Sequence, residues 1–378
     1  MIDSILRIVC LIGFNIFLAS VHLGAQQSNE NHNVSDVSKA SLLEDFPLIN
    51  YLNRDDWIKD KSDHYKKISD MIGLDATIED SEIEDKAVKS MNSQWQEFRD
   101  IVMQKLNSDI FKGWPSADKD FKIEKFYESD LNNVRFSVTK FNGQGSLRFP
   151  VYLVHRKGIN VEDLDLVVLN VLDEKGWSDF ISTYGKVFPK AFDSNINVDS
   201  HDGESFESNR RMFQNQDWGM AYFSPRAIGA MASLEESSSK DLISKRLNLL
   251  GGSLEGMQVF DIIQSVNALR MIEGMKSVSL WMQSHDNMAV NLLYASLYVN
   301  NIKRLDLHGL PESHIKGPTY IGIMNYIDVP QCLALAVERT RIVLYQSDAS
   351  YNPFAENVID ALNFNSKSLS IRKALEFD

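Results

Sequence analysis

At 378 residues, with a formal net charge of -13 and 44% hydrophobic residues, the chain has the composition of an acidic globular protein. Such a surface is repelled by phosphate backbones, which excludes nucleic acid as a natural partner, and the length supplies one large domain with an appendage or two domains. Of its two cysteines, Cys10 falls in an apolar leader, so once that leader is removed Cys332 has no intrachain partner and stability rests on the core.

Residues 5 to 21 form an apolar run interrupted by Arg7 and Asn15, and the chain turns polar from Gln26, the pattern of a secretory signal peptide over 1–25. No later stretch reaches the ~20 apolar residues a membrane span requires. The expectation is an exported protein, periplasmic or extracellular, with no span beyond the signal segment; uncleaved, that segment would serve as an N-terminal anchor. Residues 26–40 are polar and read as a disordered lead-in. Residues 41–115 read as a helical N-terminal extension, clearest where Trp95, Phe98, Val102 and Leu106 recur three and four residues apart on one face.

The remaining segment, 116–378, changes period. Val134, Phe136 and Val138, then Phe149, Val151 and Leu153, alternate with other residues, and Asn142, Gly143 and Gly145 lie between, which predicts an antiparallel lead-in to a sheet. Leu164 to Leu172 is nearly continuous in apolar residues, as a strand buried on both faces requires. Residues 173–241 are polar with scattered aromatics and read as a long insertion over one edge of the sheet. Met257, Phe260, Ile263, Val266 and Leu269 then recur at helical spacing. Strands are expected at 277–282, 303–307, 341–345 and 368–373, with helices at 287–298, ending near Val337, and at 354–362. This alternation predicts an α/β fold, a doubly wound, mostly parallel sheet with ligands at the carboxyl ends of its strands.

Ser284 stands between the strand at 277–282 and the helix that follows, where a serine hydrolase places its nucleophile on a sharp turn so that the hydroxyl projects above the sheet. A G-x-S-x-G elbow centred there has glycines where this chain has Met282 and Asp286. Asp348 follows strand 341–345 and suits the acid of a triad. No histidine occurs after His314, so the base is either His308 or His314, both just after strand 303–307, or the site has lost its base. Ser284 also suits a helix N-cap, with Asp286 and Asn287 crowding the same helix start. His285, adjacent to Ser284, points elsewhere.

Other groups carry weaker chemistry. Arg210, Arg211 and Arg226 read as ion-paired surface residues or as a carboxylate clamp, and Asp199, His201, Asp202 and Glu204 as an exposed acidic loop. Gly251, Gly252 and Gly256 lack the Lys-Ser/Thr of a phosphate-binding loop, so no cofactor is expected.

The ordered series FKGWP at 111–115, LVVLNVLDEKGW at 166–177, RRMF at 210–213, YFSPRAIG at 222–229, RLNLLGGSLEGMQVFDI at 246–262 and the elbow at 278–297 resembles the acetyl xylan esterase and dienelactone hydrolase-like branch of the α/β-hydrolase superfamily, over roughly 95–375. The resemblance implies an α/β-hydrolase fold and cleavage of carboxylic esters on sugars or small lactones. It places the serine on Ser284, the acid on Asp348 and an oxyanion donor near Leu172 and Asp173, and it leaves the family's histidine after the last strand without a counterpart. Two functions follow as alternatives. One is serine-based ester hydrolysis of a small-molecule or carbohydrate ester, such as deacetylation of a polysaccharide; the other is a catalytically inactive homologue that binds carbohydrate or a protein partner.

Overall fold

The structure, a computed structural model, describes residues 81–115, 121–193, 196, 198, 201–232, 238–346 and 353–373. The expected signal segment and polar lead-in lie outside the described residues, as does Asp348. The chain divides at Asp100 into two compact units. Before Asp100 the described residues belong to helix α1 (Ser81–Lys105). All four residues of the expected stripe, Trp95, Phe98, Val102 and Leu106, are buried.

From Asp100 onward the chain builds a nine-stranded sheet among the described residues, in the order β1-β2-β3-β5-β4-β6-β7-β8-β9. The strands are β1 (Glu124–Leu131), β2 (Val134–Gln144), β3 (Leu147–Arg156), β4 (Leu166–Val171), β5 (Trp218–Phe223), β6 (Ser279–His285), β7 (Arg304–His308), β8 (Arg341–Gln346) and β9 (Leu369–Lys373). The pairings β1–β2, β2–β3 and β3–β5 are antiparallel and all others are parallel. The helices are α2 (Glu174–Tyr184), α3 (Gly203–Asn215), α4 (Ser238–Leu249), α5 (Leu254–Met271), α6 (Asp286–Ser296), α7 (Val329–Val337) and α8 (Phe354–Ala361). The antiparallel lead-in and the doubly wound sheet expected from the sequence are both present.

The segment 173–241 is not an insertion over the sheet's edge. It supplies β5, buried along its whole length between β3 and β4, together with α2 and α3. The physical reason is packing. Phe180 and Tyr184 of α2, Phe206, Met212 and Phe213 of α3 and Phe188 between them bury against Phe136, Tyr152 and Tyr222 of the sheet. Phe180 lies 4.6 Å from Tyr222 and Phe136 lies 4.8 Å from Phe188, ring centre to ring centre. Aromatic pairs of this kind add about 0.5–1.5 kcal/mol each beyond burial. The polar residues that made the segment look like an insertion occupy the outer faces and caps of its helices.

Helix α5 is buried nearly all round from Leu254 to Leu269, and the polar residues Gln258, Asp261, Gln264 and Ser265 are buried along with its apolar ones. Ser253 caps it by accepting from Gly256 N at 3.0 Å. Gly256 O in turn accepts from Trp114 Nε1 at 2.8 Å, and Trp114 stacks on Phe111 with centroids 4.3 Å apart. The FKGWP phrase thus plugs the end of α5.

Candidate functional site

In a sheet of this topology the chemistry-bearing edge is the one where parallel strands end and helices begin. Here the ends of β4 and β6 lie side by side, with Asn170 in register with Gln283. The loop after β4 leads into α2, capped by Asp173, whose Oδ1 accepts from Gly176 N at 2.7 Å. The turn after β6 leads directly into α6, with His285 at the cap position making no side-chain capping bond.

The strained tip of that turn is Asp286, with φ at +48°. A non-glycine residue in the left-handed region is unusual, and aspartate is among the residues that tolerate it. Ser284 sits two residues earlier, inside β6, and is 1% exposed. Its Oγ donates to Val171 O at 2.8 Å, across to the end of β4. Neither expectation for Ser284 holds geometrically, since it is neither at the tip of the elbow nor the cap of α6. Strand β6 continues three residues further than its polar composition suggests, to His285, with Gln283 and Ser284 satisfying their side chains against β4. The pattern's small flanking positions therefore fall on Ser284 and Met288, and its centre on Asp286.

The histidines expected as displaced bases do not approach Ser284. In the parallel pairing of β6 with β7, His285 is in register with His308 and Ser284 with Leu307. Side chains alternate between faces along a strand, so His308 projects from the face opposite Ser284. Its ring is stacked between His285, 4.4 Å away at 16°, and Tyr345, 4.5 Å away at 7°. His314 is committed elsewhere: Nδ1 donates to Pro318 O at 3.0 Å and Nε2 accepts from the Tyr294 hydroxyl at 2.8 Å. Burial lowers the pKa of His285 and His314 and takes His308 well below the usual imidazole range. Burial thus disfavours the charged form of all three, and of the three it is His285 that lines the cleft at this edge.

The oxyanion position is also altered. Leu172 N donates to Phe223 O at 2.9 Å, so one of the two amides near which the resemblance placed a donor is held by the sheet. Of the remaining charged groups, Arg226 donates from Nε to Asp261 Oδ2 at 2.8 Å and from its terminal nitrogen to Asp261 Oδ1 at 2.6 Å. Arg210 pairs with Glu207, and Asp202 caps α3 by accepting from Ser205 N. None of these is a ligand clamp. Among the described residues no group of three or more His, Cys, Asp or Glu is placed to hold a metal ion.

What the edge does form is a small cleft of about 60 Å³ between the start of α2 and the elbow. Asn170 and Gln283 line it from the strands, Asp173, Lys175, Asp179 and Phe180 from the loop and α2, Tyr222 from β5, and His285 and Asp286 from the elbow. Burial, reinforced by Asp173 and Asp202 and opposed by Lys175, pushes Asp179 up to about 6. Burial likewise raises Asp286, opposed by His285 and reinforced by Asp173. Sequence reasoning missed Asp179 and the place of Asp286. The spacing Ser284-His285-Asp286-Asn287-Met288, with a small residue at the first flank, is the signal that pointed to the second.

No protein-family model and no curated protein sequence matches the chain. Among solved structures it is similar to a Bacteroides fragilis protein assigned as an acetyl xylan esterase, with a TM-score of 0.54, 12% identity and 76% of each chain covered. A glucuronoyl esterase from Solibacter usitatus aligns with a TM-score of 0.48 and 9% identity, over 72% of this chain and 81% of its own. At these identities the likeness concerns architecture, and the architecture is the α/β-hydrolase fold that the sequence resemblance implied.

Proposed function

We propose that this chain is an α/β-hydrolase-fold protein that binds a small ligand in its cleft, does not hydrolyse esters by a serine mechanism, and acts outside the cytoplasm. The single observation behind this reading is that Asp286 occupies the strained elbow tip while the Ser284 hydroxyl is buried and donates to Val171 O at 2.8 Å. A serine nucleophile needs an adjacent base to take its proton, and loss of that partner lowers catalysis by roughly 10⁴-fold. The last histidine of the chain, His314, is held by Pro318 and Tyr294. The apolar run at 5–21 supports export.

The test is fluorophosphonate labelling of the purified protein beside an active serine esterase, with hydrolysis of 4-nitrophenyl acetate and acetylated xylan followed in parallel. The expected result is no labelling, and ester turnover indistinguishable from that of Ser284→Ala. Labelling that disappears in Ser284→Ala would return the protein to the serine hydrolases.

The position of Asp286 favours a second reading. A carboxylate at this turn can attack a saturated carbon, forming a carbon–oxygen bond as the carbon's bond to a leaving group such as halide breaks and the halide departs as an anion; the resulting covalent ester is then cleaved by water from which a base takes a proton. Intact-mass analysis after exposure to alkyl halides separates the two readings. A stoichiometric adduct absent from Asp286→Asn supports the carboxylate nucleophile, and an unmodified mass supports binding alone.

A further inference from the structure

A second cleft, sharing no lining residue with that at the elbow, lies on the face of the antiparallel strands against which α2 packs. In the β2–β3 pairing Val138 is opposite Tyr152 and Lys140 opposite Pro150, and in the β1–β2 pairing Glu124 is opposite Lys140. Side chains alternate between faces, so these residues share one face, and Lys140 and Tyr152 are diagonal neighbours with Cβ atoms about 7–8 Å apart. Phe126 of β1, Asp193 after α2 and Met231 after β5 are among the residues that complete the wall, and the cleft holds about 260 Å³.

Two polar groups of this wall lack a hydrogen bond. Tyr152 is 2% exposed, and among the described residues nothing bonds to its hydroxyl. The fully buried side-chain atoms without a partner belong to Ser224, Tyr298, Asp328 and Gln331, so the Tyr152 hydroxyl, equally without one, is not sealed in the core and opens onto the cleft its residue lines. The ring is fixed by Phe192, stacked 5.4 Å away, and by Phe180 at 4.9 Å. Burial, and after it the Asp193 carboxylate, pushes the pKa of the hydroxyl up, so it keeps its proton and can donate.

The other group is the Lys140 ammonium. It lies 3.5 Å over the centre of the Phe126 ring and 3.6 Å from Asp193 Oδ1, just outside hydrogen-bonding reach. Arg148 and Glu124, by contrast, meet directly at 2.7 Å. Asp193 is thus a carboxylate of the chain itself that stands beside Lys140 without docking on it, within electrostatic reach of Tyr152 as well. Its side chain is 57% exposed against 22% for Lys140, so it is the partner that can yield the position.

We propose that this second cleft binds a small organic carboxylate, whose oxygens accept from Lys140 Nζ and Tyr152 Oη in place of the Asp193 contact and whose carbon chain lies along Pro150 and Met231. Two donors flanking one space select an acceptor, and the ammonium selects an anionic one. The apolar part of the wall selects a carbon chain over an inorganic anion, and a volume a little under the usual ~300–1,000 Å³ of ligand pockets keeps that chain short. No residue lines both clefts, so binding here neither requires nor excludes a ligand at the elbow.

Calorimetric titration of the full chain at pH 7.5 with pentanoate, pentanamide and xylose tests this. Pentanoate is expected to bind about tenfold more tightly than pentanamide, and Lys140→Met and Tyr152→Phe each to weaken it about tenfold, as loss of one hydrogen bond to a charged group does. Asp193→Asn removes the competing carboxylate and is expected to tighten pentanoate about threefold, the scale of one exposed charge pair. Equal affinity for pentanamide, tighter binding of xylose, unchanged affinity in Lys140→Met, weaker binding in Asp193→Asn, or no binding of pentanoate to the folded protein would overturn the proposal. The comparison of the three ligands on the wild type does not depend on the variants, whose folding is checked by circular dichroism.

Discussion

Ser284 and Val171 are joined by a hydrogen bond of 2.8 Å between a side-chain hydroxyl and a main-chain carbonyl, and this bond makes the serine a strut between β6 and the end of β4. Replacing Ser284 by alanine leaves Val171 O without that donor in a site that is almost fully buried. The expected cost is about 1 kcal/mol, the usual net worth of such a bond. Urea denaturation measures it. Wild-type stability in Ser284→Ala would show that the bond contributes nothing.

The pair Arg226–Asp261 is expected to matter more. Asp261 has no exposed side chain, Arg226 retains 15%, and the guanidinium meets both carboxylate oxygens. Arg226→Met leaves the carboxylate buried and unpaired, and the main-chain N–H of residue 226 remains its donor at 3.0 Å. A loss of about 3–5 kcal/mol is expected in guanidinium denaturation, as for other buried pairs broken from one side. A loss below 1 kcal/mol would mean that water reaches Asp261.

Asp179 gives stability a pH dependence of known sign. Its carboxyl is raised from 3.8 to about 6 in the folded protein, by burial first and by Asp173 and Asp202 after it, against Lys175. Between those values the folded state holds a proton that the unfolded state has lost, so this group's contribution falls as pH rises from about 4 to about 6. Asp179→Asn removes the titration. The variant should melt with the wild type at or below pH 4 and about 1–2 °C above it at pH 7, the shift being small because the group is partly solvated. Thermal melts at the two pH values decide the matter, and a variant that melts lower at pH 7 would contradict it.

Gly309 is the backbone counterpart of the elbow. Its φ is +60°, and a Cβ built there would lie 2.5 Å from Asp286 Oδ1. Gly309→Ala is therefore expected to cost about 1–2 kcal/mol from the left-handed backbone alone, and to push the Asp286 carboxyl out of place. Chemical denaturation reads the combined effect, and unchanged stability would place the carboxyl elsewhere.

Much of the fold was legible because its strands announce themselves by composition. LVVLNV of β4 and RIVLYQ of β8 are apolar through the middle of the sheet, and the helices between the later strands carry their own periodicity. Strand β5 was not legible, since WGMAYF is six residues in a polar surround and one face of it is buried by α2 and α3, two helices that precede it in sequence. At the elbow, Gln283, Ser284 and His285 read as turn residues, and what makes them strand is a set of side-chain bonds to β4 that no periodicity reveals. His308 was identifiable as a histidine at a strand's end. Its face was decided by register with His285, which belongs to the pairing of strands distant in sequence.

The stack of His285, His308 and Tyr345 joins the ends of three neighbouring strands ring against ring, and Tyr345 is itself held through its hydroxyl by Arg304 at 3.0 Å. A proton taken up by either imidazole would set a positive charge face to face with a neighbouring ring, and burial accordingly disfavours the charged form of both. The three rings also tie the carboxyl ends of three strands to one another through side chains, so a displacement of any one of them is felt by the other two.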